Sequence, residues 1–477
     1  MKKTKILFVS SEAHPFAKSG GLGDVAYSLP KALVKTTDIR VIMPKYSTIH
    51  DKYCSSMEFV SKFTTKVSWR ERYVGLFKME YDKIPFYFID NQDYFAREAS
   101  YGYFDDAERF AYFSRAVIDS IEHMDFVPDI IHCNDWQSAL VPVFLKAFYY
   151  EKYKDVKVVY TIHNLKFQGV YGKEILGDIL GLDDYYFNEE RLKFNDAISF
   201  MKGGVIFSDH VTTVSNTYAN EIKYPFFGEG LHGLFQELDY KVTGIVNGID
   251  YDTFNPRRDK ELAVKYGVST RAKKVGNKLA LQKELGLVED ENIPIIGIVT
   301  RLTGQKGLDL IAHILEELLL LDIQLVVLGT GDLQYEDLFK YYAHIYPSKL
   351  SANIMFDSAL AKKIYAGSDL FLMPSLFEPC GLSQLISMRY GTIPVVRETG
   401  GLKDTVTPYN EFEGTGTGFG FENYNAHELL EILKYALKIY ENKEKWDGLV
   451  KNAMERKSSW ANAAKEYKKI YKQVMDN

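Results

Sequence analysis

The stretch Pro374-Ser375-Leu376-Phe377-Glu378-Pro379-Cys380-Gly381-Leu382-Ser383-Gln384 joins a short apolar run, Leu370 to Met373, to a helical pattern that opens at a glycine. Strand, loop and helix in that order form one step of an α/β sheet with crossover helices. The loop also has the make-up of a ligand site. Glu378 is stiffened by Pro379, and a helix N-terminus offers unpaired N–H groups and the positive end of a dipole to a phosphate. On its own the turn reads equally as an ordinary connection in which Gly381 caps and Cys380 is a small buried residue. Two neighbouring loops tip the reading. Thr399-Gly400-Gly401-Leu402 makes a second glycine turn after the strand Thr392 to Val396. Arg301-Leu302-Thr303-Gly304-Gln305-Lys306-Gly307 follows the strand Ile295 to Thr300 and sets two cations where a diphosphate needs them.

The same alternation runs through both halves of the chain. In the first half it predicts strands at Lys5 to Val9, Ile39 to Met43, Phe86 to Ile89, Ile130 to Cys133, Val156 to Ile162 and His210 to Val214. Phe59 to Val67 and Tyr73 to Glu80 read as an inserted antiparallel pair. In the second half it adds Ile323 to Leu328, Ile354 to Phe356 and Leu370 to Met373. The first strand leads into Lys18-Ser19-Gly20-Gly21-Leu22-Gly23-Asp24. A boundary is expected near Lys241 to Asp250, where a strand runs into an Asn-Gly turn and then a polar, basic stretch to about Lys274. The fold class is therefore α/β, two Rossmann-like domains facing across a cleft, with ligand loops at the strand ends.

At 477 residues the chain is too long for one core. A net charge of −6 gives no reason to expect nucleic acid or an anionic membrane as a partner, so any anion must meet local cations. Cys54, Cys133 and Cys380 lack metal-ligand spacing and are odd in number, which points to a reducing, cytoplasmic compartment. The apolar run at the N-terminus is too short for a signal peptide, and Glu12 and His14 follow it at once. No stretch approaches the length of a membrane span.

Gly21-Leu22-Gly23-Asp24-Val25-Ala26 fits G-x-G-x-x-A, the mark of an NAD-dependent oxidoreductase. Against that reading, the glycines lie well past the strand end, and the second strand ends in Pro44-Lys45 without the acid that holds a ribose. His132-Cys133-Asn134-Asp135-Trp136-Gln137 and Thr161-Ile162-His163-Asn164 stand at the ends of two successive strands. Each taken singly could be a cap or a satisfied core group, but open α/β sheets bind ligand at strand C-termini. His132 is read as structural. Tyr101 lies in a polar loop before the helix Asp106 to Ile121.

Together these segments resemble the bacterial glycogen synthase and plant starch synthase family over essentially the whole chain. Lys18-Ser19-Gly20-Gly21-Leu22 is similar to its K-T-G-G-L signature, with serine for threonine. Asp135-Trp136-Gln137, Thr161-Ile162-His163-Asn164-Leu165, Asn247-Gly248-Ile249-Asp250, the Arg301 and Glu378 loops and Thr399-Gly400-Gly401-Leu402 follow in the family's order. Asp105-Asp106 replaces the family's Asp-Asn before Ala-Glu-Arg-Phe.

The resemblance implies a GT-B glycosyltransferase that moves glucose from ADP-glucose to the non-reducing 4-hydroxyl of an α-1,4-glucan, glycogen or a maltooligosaccharide, with retention. It implies no metal and no cofactor, and the chain has no D-x-D pair beside the phosphate loops. It implies a first domain over residues 1–243, a second over 244–456, and a last helix, about 457–477, that packs back on the first. Arg301 and Lys306, with N–H groups at Gly381, Leu382 and the Thr399-Gly400-Gly401 turn, are then expected to stabilise the leaving diphosphate. Lys18 adds a cation, Gly20 and Gly21 allow close approach with Asp24 beside them, and Cys380 is a packing or contact residue. Glu378 and His163 hold the glucose, Asp135 lies by donor sugar and acceptor, and Asn247 and Tyr101 contact sugar. A covalent role for Glu378 and a front-face reaction remain equally open. The alternatives are a UDP-glucose donor, since ADP-glucose is favoured by the resemblance alone; a phosphorylase, which would carry lysine-linked pyridoxal phosphate; a sucrose or trehalose-type transferase, disfavoured by the Lys18-to-Leu22 and Glu378-to-Leu382 motifs; and a non-catalytic glucan-binding protein, which would have no need to keep Lys18, Arg301, Lys306 and Glu378 together.

Overall fold

The computed structural model describes residues 3–476. They form two compact units. One takes in the chain up to Val214, Ala219–Asn247 and the segment from Trp460; the other is Ser215–Tyr218 with Gly248–Ser459.

The first unit contains β1 (Lys5–Val9), β2 (Asp38–Pro44), β3 (Glu58–Val67), β4 (Arg70–Tyr81), β5 (Ile84–Asp90), β6 (Ile130–Asn134), β7 (Lys157–Ile162), β8 (Val170–Gly172), β9 (Lys193–Phe194), β10 (Ala197–Ser199), β11 (His210–Thr213) and β12 (Val242–Gly244). The main sheet runs β12-β11-β7-β6-β1-β2-β5-β4-β3. It is parallel from β12 to β5, and the β3–β4 hairpin extends it antiparallel at one edge. β8, β10 and β9 make a small separate sheet. β1 is an almost continuous apolar run, as expected of a strand inside a parallel sheet, and Ile6, Leu7, Phe8 and Val9 are fully buried.

The second unit holds β13 (Ile295–Val299), β14 (Gln324–Leu328), β15 (Leu350–Asn353), β16 (Leu370–Met373), β17 (Ile393–Arg397) and β18 (Phe419–Phe421), all parallel, in the order β15-β14-β13-β16-β17-β18. Counted along the chain this is 3-2-1-4-5-6, the order of dinucleotide-binding sheets. The parallel part of the first sheet begins the same way, with β5-β2-β1-β6-β7. Such sheets leave a crevice where the order reverses, between β1 and β6 in one unit and between β13 and β16 in the other. The helix Leu308–Leu320, which follows β13, buries Leu308, Ile311, Ile314, Leu315 and Leu318 at helical spacing and so fixes the loop before it.

Most expected strands are present within a residue or two. Ile354 to Phe356 is not one of them. The strand is Leu350–Asn353, and the apolar run lies beyond it with Phe356 89% exposed, ahead of the Asp357 cap of the helix Ser358–Gly367. The helix expected to open at Gly381 begins at Ser383, because Gly381 takes a left-handed φ of +70°. β18 and the three-stranded sheet were not expected.

Candidate active site

In the second unit the loops after β13 and β16 meet at the switch point. Lys306 Nζ lies 2.6 Å from Glu378 Oε2, and Ser375 Oγ donates to the same oxygen at 3.3 Å. Both charged side chains are largely buried, 16% and 9% exposed, so the pair is poorly screened. The loops are locked. Leu376 N–H donates to Gln305 O at 2.9 Å, and Arg397 Nε donates to Ser375 O at 2.8 Å. Gly307 has φ +73°, and a Cβ there would stand 2.0 Å from Pro374 O.

The turn after β17 closes on the same loop from the other side. Gly401 N–H donates to Glu378 O at 3.0 Å, and a Cβ on Gly400 or Gly401 would meet Glu378 O at 2.0 Å or Cys380 O at 2.1 Å. This corrects one expectation: the Gly401 N–H is spent on the Glu378 loop and is not offered to a phosphate. Thr399 caps the short helix Gly400–Thr405, Leu382 caps the one that starts at Ser383, and Cys380 is buried. Gln384 Nε2 holds Cys380 O and Gly381 O at 3.0 and 2.9 Å. Arg301 is exposed at the end of β13 and is not brought into the Lys306–Glu378 pair; among the described residues its guanidinium has no hydrogen-bond partner.

In the first unit the loops after β1, β6 and β7 converge. Asp135 has φ +54°, rare for a side-chain-bearing residue and costing on the order of 1–3 kcal/mol. That turn aims its Oδ1 at the β7 loop, where it accepts from His163 N at 2.7 Å. Burial pushes the Asp135 carboxyl up to about 7, and the charge of Glu12 pushes the same way, against the lowering by the His163 and Asn164 N–H groups. His163 is driven by burial down to about 3 and is neutral. Asn134 gives its Nδ2 to Val9 O at 3.0 Å, so its Oδ1 accepts from His163 Nε2 at 2.9 Å. That leaves His163 Nδ1 as an acceptor.

His132 is structural, as expected. It is fully buried between Tyr471 Oη at 2.7 Å and Thr161 Oγ1 at 2.6 Å. Tyr101 is not an exposed loop residue; its hydroxyl lies 3.0 Å from Ser11 Oγ. Lys18 is paired with Asp24 at 2.8 Å and 40% exposed. Gly20 caps the helix Gly21–Leu33 in extended backbone, and a Cβ there would meet nothing within 4 Å. Asn247 is buried with its Oδ1 lacking a partner among the described residues. Glu12, Asn134 and Ser375 complete these sites and were not singled out by sequence; only Glu12 left a signal, an acid three residues past a buried strand.

Two Rossmann-like units, one with a cation–carboxylate pair and the other with convergent polar groups at their switch points, define a glycosyltransferase of the GT-B class. Residues 5–237 match the family model of the starch synthase catalytic domain, and residues 281–455 that of glycosyl transferases group 1. Glycogen synthase from Caldicellulosiruptor saccharolyticus is 56% identical over 474 residues, 98% of this chain and 99% of its own length. That of Clostridium acetobutylicum is 56% identical over 476 residues, 99% and 100%. The catalytic domain of starch synthase IV from Arabidopsis thaliana, solved bound to ADP and acarbose, superimposes with a TM-score of 0.93 at 34% identity, with 100% of both chains covered. Sucrose-phosphate synthase from Thermosynechococcus elongatus shares the fold, with a TM-score of 0.64 at 17% identity over 99% of this chain and 100% of its own. The chain belongs to the glycogen synthase and starch synthase family of glycosyltransferases.

Proposed function

We propose that the chain transfers glucose from ADP-glucose to the non-reducing 4-hydroxyl of an α-1,4-glucan, with retention, as a cytoplasmic step of glycogen biosynthesis. The Lys306–Glu378 pair carries this reading. Breaking a glucosyl–phosphate bond puts negative charge on the diphosphate and positive charge on the sugar, and the pair offers one fixed charge of each sign. Arg301, unengaged at the end of β13, can join Lys306 on the phosphate. In the first unit, His163 Nδ1, the Asp135 carboxyl and Asn247 Oδ1 are acceptors suited to sugar hydroxyls. The names of the relatives and the ADP and acarbose of the Arabidopsis enzyme support the donor and the acceptor.

With Oε2 held by Lys306 and Ser375, Glu378 acts as a fixed charge rather than as a nucleophile, which favours front-face transfer. The test is extension of a maltooligosaccharide with ADP-glucose and UDP-glucose in parallel, with the anomer of the new linkage read by proton NMR. Failure to extend, a β product, or faster turnover of UDP-glucose would sink the proposal. Activity should persist in EDTA, since the cations are supplied by the chain; loss restored by magnesium would contradict that.

A further inference from the structure

We propose that Glu12 is a positioning residue of the transfer site, a buried carboxylate that anchors the turn from Lys18 to Gly23. The proposal rests on the transferase reading above. Glu12 is 1% exposed and follows β1, on the β1 side of the switch point that Asp135 faces from β6. Its Oε2 accepts from Ser19 N and Ser19 Oγ, both at 2.7 Å, and its Oε1 accepts from Gly23 N at 3.0 Å. Among the described residues no lysine or arginine pairs with it, so N–H and O–H dipoles alone balance the charge. The backbone on both sides is held as well: Ser10 Oγ donates to Glu12 O at 2.7 Å, and Ser11 Oγ meets Tyr101 Oη at 3.0 Å.

A helix cap would explain the bonds to Gly23 but not the reach of the charge. Ionisable side chains stand around Asp135 on the neighbouring strands, Tyr160 of β7 among them, its hydroxyl pushed well above its ordinary range by burial and by the Asp135 charge. His163 on the β7 loop and His132 on β6 are both held neutral by burial. The charge of Glu12 on the β1 loop adds to the effect of burial in favouring the protonated form of Asp135. The same charge acts on Tyr101, whose hydroxyl is pushed well above its ordinary range, chiefly by burial. Glu12 therefore holds the loop in place and adds to burial in raising the pH at which Asp135 ionises.

The test pairs hydrogen exchange with a pH profile. In Glu12→Gln the Ser19 and Gly23 amides should exchange faster by about tenfold, because an amide cannot accept all three bonds. The acid limb of kcat/KM should move to lower pH by roughly half a unit or more, since the charge beside Asp135 is gone. Glu12→Asp keeps the charge and should keep the limb. Ser19→Ala should loosen the turn without moving the limb, and Asp135→Asn should abolish it. Unchanged amide exchange in Glu12→Gln overturns the anchor. An acid limb that stays put in Glu12→Gln, or survives in Asp135→Asn, overturns the electrostatic half. A chain that extends no glucan would sink the transferase reading, and the exchange comparison would then decide the anchor by itself.

Discussion

Asp135 carries opposed demands that make it costly in the folded chain and useful at the site. Its folded-state value of about 7 lies above the unfolded one, so the folded chain holds that proton more tightly, and stability falls as pH rises from about 4 to about 7. Asp135→Asn keeps the acceptor for His163 N and removes the charge. It should raise the Tm of the first unit by about 2 °C or more at pH 8 while lowering kcat, and a Tm no higher than wild type at that pH would refute the buried charge. His132 and His163 act with the opposite sign. Their folded values of about 3 lie below the unfolded value, so their contribution is complete above about pH 6.5 and is lost as pH falls towards 3. A melting series from pH 7 to pH 4 should show that loss, reduced in His132→Asn. Lys306 is a sharper case. If it meets charge that grows as the glucosyl bond breaks, Lys306→Ala should lower kcat by about 10²-fold and not only raise KM. A kcat within about twofold of wild type at saturating donor would place this lysine outside the chemistry.

At the scale of elements, the sequence was informative about strands and less so about loops. Periodicity located β1, β6, β7, β13 and β16 because each is a buried apolar run bounded by polar turns, which makes the switch-point order derivable once the strands are paired. Phe419–Phe421 and Lys193–Phe194 are too short to carry a period, and Ile354 to Phe356 looked like a strand only because its exposure cannot be read from residue type. The glycines were legible as turns but not in their purpose. Gly400 and Gly401 were read as phosphate donors; the structure gives the pair a second purpose, since they let the β17 turn press against the Glu378 backbone, with the Gly401 N–H taken by Glu378 O. Nor does residue type announce the positive φ of Asp135 or the burial of Glu12. Gly401→Ala should therefore cost about 2 kcal/mol or more, because its Cβ meets backbone that cannot swing aside, whereas Gly20→Ala, with nothing within 4 Å, should stay within about 0.5 kcal/mol. Denaturant titration of the two variants checks the contrast, and equal losses would remove the packing argument.

For the whole molecule, the last helix matters most, since residues Trp460–Asp476 end the chain but belong to the unit that begins it. Aromatic and apolar residues recurring at roughly helical spacing from Trp460 to Val474 mark the helix in the sequence; its destination came only from the family resemblance, because an apolar stripe does not say what it will cover. The structure lays it on the helix Gly21–Leu33 and on β7, with Trp460, Tyr467, Ile470, Tyr471 and Val474 buried and Tyr471 bonded to His132. At about 1.5–3 kcal/mol for each large side chain fully buried, that face is worth more than about 5 kcal/mol, comparable to the net stability of a domain. A chain ending at Ser459 should thus lose the first unit selectively. Hydrogen exchange would show β1, β6 and β7 deprotected while β13, β14 and β16 stay protected. Tyr471→Phe, which removes one buried bond from His132, should cost only about 1 kcal/mol. Unchanged protection of β6 and β7 in the truncated chain would mean that the helix is an ornament to the first unit and not part of its core.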